Sequence, residues 1–317
     1  MSQPTAASRD VGAQIGGGRV QRSLSWSGQR LGIWREGRLR VPVLIRVAWR
    51  TLLLVALVAG SITFVLPFAW MVSTSLKTPP QVWVQPPVWI PDPVEFQNYV
   101  KAWTVVPTPT YLKNTLVITG FSLVGHVLSS ALVAYSFARL RWRLREPLFA
   151  VLIATMMLPY QVTMIPVFLL FNKIGWVNTL KPLIVPAFFG AAFYIFLLRQ
   201  FFLTIPVELD EAAIMDGANP LTIWWKIMLP LAQPALGAVG IFSFMGHWND
   251  FVGPLIYLNS TDKWTLALGV IAFRLQYTTN WEQLMAYSTM IMLPCLLVYL
   301  FFQRYFIQGI VFSGLKG

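Results

Sequence analysis

The chain is predicted to be an all-α, polytopic membrane protein, with six transmembrane helices and one helical hairpin outside the bilayer. Three observations predict this. The 317 residues are 56% hydrophobic and only 11% charged, whereas a soluble domain carries about a quarter charged residues. Six stretches stay apolar for about 20 residues, the length a helix needs to cross the hydrocarbon core. Basic residues flank those stretches, so the formal net charge of +12 reads as loops held at one membrane face. It does not form the aromatic-laced patch of a nucleic-acid surface. This balance argues against a soluble enzyme and against a nucleic-acid partner; the lipid bilayer is the expected surrounding.

The elements follow in order. Residues 1–40 are basic, polar and rich in Gly and Ser, which predicts a disordered tail ahead of a transmembrane domain over 41–317. Removing residues 1–30 is expected to have little effect. The large residues Phe68 to Met71 follow the first apolar run where a cleavage site would have small ones, so this run reads as a retained anchor and not as a signal peptide. The spans fall at about 51–72, 116–137, 148–171, 183–203, 231–256 and 284–306. The link after the second span carries Arg139, Arg141, Arg143 and Arg145 against Glu146, and nine arginines face two acids in residues 1–50. The loops over 76–111 and 260–282 are balanced: Lys77 and Lys101 oppose Asp92 and Glu95, while Lys263 and Arg274 oppose Asp262 and Glu282. The positive-inside rule then places both chain ends and the 204–230 segment in the cytoplasm.

Six prolines between Pro79 and Pro93 predict a rigid, mostly irregular outer loop, with Trp83 and Trp89 at headgroup level or against a partner. Pro159, Pro166, Pro186, Gly190, Pro234 and Pro294 interrupt the spans. Such breaks need protein or a water-lined path to satisfy the freed backbone, or serve close helix packing. No phosphate-binding glycine motif occurs, and Cys295, His126 and His247 stand alone in sequence without metal-ligand spacing. The chain is therefore expected to bind no cofactor and no metal, with the two histidines packing or hydrogen bonding.

The 206–230 segment has its own logic. Pro206 suits a helix start, and Glu208, Asp210 and Glu211 sit where the positive helix end favours acids. Ala212 and Ala213 favour helix without bulk, Ile214 and Met215 offer apolar contact, and Asp216-Gly217 ends the helix. Asn219 can cap a second helix with Pro220 at its first position, running through Ile227 and Leu229 to Pro230. A short hairpin of this kind suits insertion into a groove on another protein; an amphipathic hairpin resting on the bilayer or on its own bundle is the competing reading.

The pattern of Glu211, Ala212, Ala213, Gly217, Ile227, Leu229 and Pro230 resembles the coupling signature of permease subunits of ABC importers. The stretches Leu197 to Phe202, Trp248 to Phe251, and Phe302 to Phe306 resemble the carbohydrate-uptake branch, in its second-permease, MalG-like type. The resemblance runs from about residue 48 to the end. It implies a type I importer permease fold in a bacterial inner membrane, paired with a second homologous permease. It further implies two copies of a cytoplasmic ATPase, which holds ATP and Mg2+, and an extracytoplasmic sugar-binding protein. Glu211 would pair with a basic ATPase residue, the tail after Phe306 would reach between the ATPase subunits, and the 76–111 and 260–282 loops would face the binding protein. This chain itself would be no enzyme. Tyr194, Phe244, Trp248 and Asn249 are candidate pathway residues, because aromatic faces and amides suit sugars; in the maltose relatives, however, the first permease holds the sugar. Glycerol phosphate, a polyol or another small solute remains an alternative cargo. A non-transport scaffold for an ATPase and a gradient-driven transporter are alternative classes, the latter requiring a buried acid at mid-membrane.

Overall fold

The computed structural model describes residues 41–273 and 280–314, with side chains over 45–273 and 280–303. The predicted tail over 1–40, Arg274 and the side chains beyond Phe306 lie outside the described residues. The chain divides into two compact units, 1–62 and 63–317. The first is described over 41–62, as helix whose apolar side chains, among them Leu52, Leu57 and Ile62, are exposed.

Every regular element among the described residues is a helix. Helix α1 spans Val41–Ser75, α2 Gln97–Val105, α3 Thr108–Arg139, α4 Arg145–Thr155 and α5 Tyr160–Lys173. A short α6, Lys181–Ile184, runs into a 3-10 turn over Val185–Phe189, and α7 follows over Ala192–Phe202. Then come α8, Glu208–Met215, and α9, Pro220–Leu231. Helices α10, Gln233–Trp248, α11, Val252–Tyr257, and α12, Trp281–Gly314, complete the chain. Among the described residues, four helical stretches are long and apolar enough to cross a membrane, or up to six if each of two bent pairs is one span.

The spans differ from the sequence expectation in how they are broken. The third is α4 and α5 joined at 99°. Pro159 lacks an N–H and is the extended N-cap of α5, so the ladder cannot continue through it. At the fifth, α9 meets α10 at 81°, so the chain turns sharply close to residue 231, where that apolar stretch was expected to begin. The fourth is interrupted between the 3-10 turn and α7 by Gly190, at φ +81°, a conformation glycine adopts without a Cβ clash.

Helix α3 satisfies the groups that this interruption frees. Ser122 Oγ donates to the Leu183 carbonyl at 3.1 Å and Ser129 Oγ to the Ala187 carbonyl at 3.2 Å, while Ser130 Oγ accepts from the Ala191 N–H at 3.3 Å. Gly125 lets the backbones approach, since a Cβ there would lie 3.1 Å from the Ala187 carbonyl carbon. Broken backbone inside a membrane protein persists only with such partners.

Two cores hold the larger unit. One joins Ala134, Leu198, Phe202, Met228 and Ala235 near α8 and α9; the other joins Tyr111, Trp248, Leu266, Ala286 and Tyr287 at the far end. The proline loop is more ordered than its composition suggests. It contains a helical turn over Pro79–Val82 and leads into α2. Trp89 packs edge-on against Trp70 at 4.9 Å, and Trp83 is 70% exposed. Lys77, counted in sequence as a loop charge, is fully buried. Its Nζ lies 3.6 Å over the Trp70 ring and donates to Thr74 Oγ1 at 3.3 Å, and burial lowers its pKa.

Candidate functional site

The site is the hairpin of α8 and α9. Helix α8 carries Glu208, Asp210 and Glu211 in its first turn, where the helix dipole favours acids. Val207 is its N-cap, so Pro206 stands before the cap and not at the first helical position. The helix ends at Asp216 with two bonds: the Gly217 N–H donates to the Ile214 carbonyl and the Ala218 N–H to the Ala213 carbonyl, each at 2.9 Å. This is a Schellman cap, and Gly217 supplies its left-handed residue at φ +79°. Asn219 Oδ1 accepts from the Thr222 N–H at 2.8 Å and Pro220 opens α9. The next turn, Trp224–Met228, is wound as a π-helix.

The hairpin has two faces. Glu211, Ala212, Ile214, Met215, Asp216 and Gly217 are exposed, Met215 at 86%. Asp210 and Ala213 are buried against the bundle, with Ile223, Trp224 and Met228 from α9; Ile227 and Leu229 pack partly buried beside them, and Pro230 is exposed. The alanine pair is thus divided: Ala212 lies on the free face, whereas Ala213 lets α8 settle on its own protein. Trp224 fills the core and Trp225 is 59% exposed, beside Leu221 at 61%.

Arg139 and Asp210, which sequence reading used only as a topology charge and a helix-end acid, join the hairpin to the bundle. Arg139 ends α3, and its Nη2 donates to the Phe202 carbonyl at 2.8 Å and to the Ile205 carbonyl. Its Nε lies 3.4 Å from Asp210 Oδ2, with both side chains nearly buried. One guanidinium therefore ties the ends of α3 and α7 to α8. Burial raises the Asp210 pKa, and Arg139 beside it opposes that rise. The sequence signal was the spacing of Asp210 and Ala213, which share one face, against Glu211 and Met215 on the other. Nearby, Arg199 Nε donates to the Phe137 carbonyl at 3.1 Å, and Arg199 Nη2 lies 3.8 Å from Glu146, the loop acid that Arg145 also pairs.

Of the four candidate pathway residues, Phe244 and Trp248 meet, while Tyr194 and Asn249 contact other neighbours. Tyr194 packs 5.0 Å from the His126 ring. Phe244 stacks on Trp248 at 5.3 Å, and Trp248, 2% exposed, donates its indole N–H to the Ile291 carbonyl at 3.0 Å. Asn249 Nδ2 donates to the Met245 carbonyl at 2.9 Å and faces Cys295.

Up to six apolar spans among the described residues, three of them interrupted, together with a hairpin that presents one acidic and apolar face, define a multi-pass membrane protein. The family described as binding-protein-dependent transport system inner membrane component matches residues 127–311, and the chain belongs to it. It is 36% identical to the arabinooligosaccharides transport system permease protein AraQ of Halalkalibacterium halodurans, over 66% of this chain and 74% of the relative. It is 32% identical to the diacetylchitobiose uptake system permease protein NgcG of Streptomyces coelicolor, over 81% of this chain and 86% of the relative. Among solved structures it resembles a bacterial ABC transporter involved in the import of the acidic polysaccharide alginate, with a TM-score of 0.74 and 25% identity over 86% of this chain and 100% of that one.

Proposed function

We propose that this permease forms half of the translocation pathway of an ATP-driven importer for a disaccharide or short oligosaccharide. The observation that carries the reading is the two-faced hairpin: Glu211, Ile214 and Met215 are free on a helix whose opposite face is fixed through Asp210 to Arg139. A docking element must be rigid toward its own bundle and open toward its partner, because a ligand shifts an equilibrium only by differential contact with the two states. The partner is a cytoplasmic ATPase, present in two copies with ATP and Mg2+, and Glu211 pairs there with a basic residue. Both chain ends and the hairpin lie in the cytoplasm. A second homologous permease completes the pathway, and an extracytoplasmic binding protein delivers the sugar to the opposite face; the family's description as binding-protein-dependent supports the binding protein, and the oligosaccharide permeases among the relatives support the cargo.

The test is ATP hydrolysis by the complex purified with its genomic neighbours, reconstituted in liposomes, with the cognate binding protein and a panel of mono-, di- and trisaccharides. Stimulation by one sugar supports the reading and names the cargo. Stimulation only by glycerol phosphate or a polyol replaces the cargo. A complex that assembles and hydrolyses ATP without responding to any solute favours a scaffold.

A further inference from the structure

A cavity in the bundle lies where the spans break. It has a volume of about 670 Å3 and is walled by α3, α5, the α6 segment, α10 and α11. That is within the usual range of small-ligand sites. Its walls are mainly apolar, with His126, Tyr160, His247, Asp250 and Tyr257 as the polar side chains. Sequence reading left the two histidines apart; here their rings lie 5.2 Å from one another. His126 stands near the middle of α3 and shares a 3.1 Å hydrogen bond between its Nδ1 and Ser243 Oγ. His247 Nδ1 donates to the Ser243 carbonyl at 2.8 Å, which leaves its Nε2 an acceptor in the neutral ring. Asp250 follows one turn later, beyond the end of α10, and its Oδ1 accepts from the Gly253 N–H at 3.1 Å. Gly253 is needed there, since a Cβ would lie 2.4 Å from Asp250 Oδ2 and 2.9 Å from Leu183.

Interrupted helices around a cavity with a few polar side chains are the arrangement of solute sites in transporters. No grouping of three or more His, Cys, Asp or Glu among the described residues has metal-binding geometry. No Lys or Arg lines the cavity, so a phosphate or carboxylate would meet no counter-charge and would face Asp250. Tyr160, Phe171 and Tyr257 offer aromatic faces, while the imidazoles and the carboxylate offer hydrogen-bond acceptors for hydroxyls.

We infer that this chain carries its own solute subsite, in which His126, His247 and Asp250 bind the hydroxyls of a neutral sugar in transit. This rests on the reading of the chain as a sugar-importer permease and deepens it, because the family resemblance assigns the sugar to the other permease. The subsite also assigns Asp250 a selective role, favouring neutral over anionic sugars.

The test is photolabelling of the detergent-solubilised complex, without binding protein, by a diazirine derivative of lactose at millimolar concentration. Labelled peptides are mapped by mass spectrometry. Label is expected in peptides bearing His126, Tyr160 or 247–257, competed by excess lactose and not by glucose 1-phosphate. Asp250→Asn and His247→Phe should each reduce it about tenfold, the usual loss when one strong hydrogen bond is removed, and His247→Gln should recover part of it. Co-purification of the ATPase with each variant shows that the complex still assembles. Absence of label in these peptides, label indifferent to the substitutions, or equal competition by glucose 1-phosphate would overturn the inference. Hydrolysis stimulated by a sugar-loaded binding protein is a separate readout, so failure of the importer reading is told apart from failure of the subsite.

Discussion

At the scale of residues, Glu211 and Gly217 carry different burdens on one short helix. Glu211 is exposed and makes no ion pair among the described residues, so its charge is available to a partner. Glu211→Lys should abolish coupled uptake while leaving membrane insertion intact; normal uptake with a normally assembled ATPase would remove the residue from the docking face. Gly217 ends the helix in a tight turn, which added side-chain bulk is expected to strain. The structure leaves open space around it, with nothing within 4 Å of an added Cβ, and the constraint is instead its φ of +79°. A left-handed residue with a Cβ costs about 1–2 kcal/mol, and Asn tolerates that region better than other residues. Gly217→Ala should therefore already weaken ATPase co-purification, Gly217→Val should be somewhat worse, and Gly217→Asn should be nearest to wild type. A large gap between Ala and Val with no effect of Ala would restore bulk as the cause.

At the scale of elements, Arg139 and its pair with Asp210 join α3, α7 and α8. Removing one partner of a buried pair leaves an uncompensated charge, typically at a cost of about 3–5 kcal/mol. Asp210→Ala is expected to cost well below that range, because burial already outweighs the pull of Arg139 on the carboxylate and Arg139 keeps its two carbonyl partners; thermal denaturation of the purified complex measures this. The pH dependence has a definite sign. Burial raises the Asp210 pKa, so the folded chain binds the proton more tightly than the unfolded one. Acidification from neutrality toward the ordinary carboxylate range therefore favours the fold at this site and at the same time dissolves the ion pair. Coupled transport should fall across that window in the wild type, and Asp210→Asn should lack this step. Matching pH profiles for the two would show that the pair transmits nothing.

At the scale of the whole molecule, the hairpin and the proline loop are expected at opposite membrane faces. In a Cys295→Ser background, Met215→Cys should react with an impermeant maleimide only from the cytoplasmic side, and Ile90→Cys only from outside; both positions are more than 80% exposed. Reaction of both from one side would overturn the topology. The same scale explains why polar side chains cluster inside an apolar bundle. Ser122, Ser129 and Ser130 stand on α3 opposite the interrupted fourth span, and the cavity opens beside that interruption.

The sequence by itself determined what is local. Apolar run length sets the number of spans, charge bias sets the expected orientation, and cap chemistry at Gly217, Asn219 and Pro220 sets the hairpin, because each depends on neighbours within a turn or on the width of the bilayer. The tertiary structure decided what depends on residues far apart in the chain. It turned Ala213 inward and Ala212 outward, brought Arg139 to Asp210, and set His126 beside His247. It also converted Pro159 and Gly190 from probable kinks in sequence into the broken walls of a cavity. A helical period states which residues share a face; only packing chooses what that face meets, and in lipid that choice follows from the need of every freed backbone group and buried charge to find a partner inside the protein.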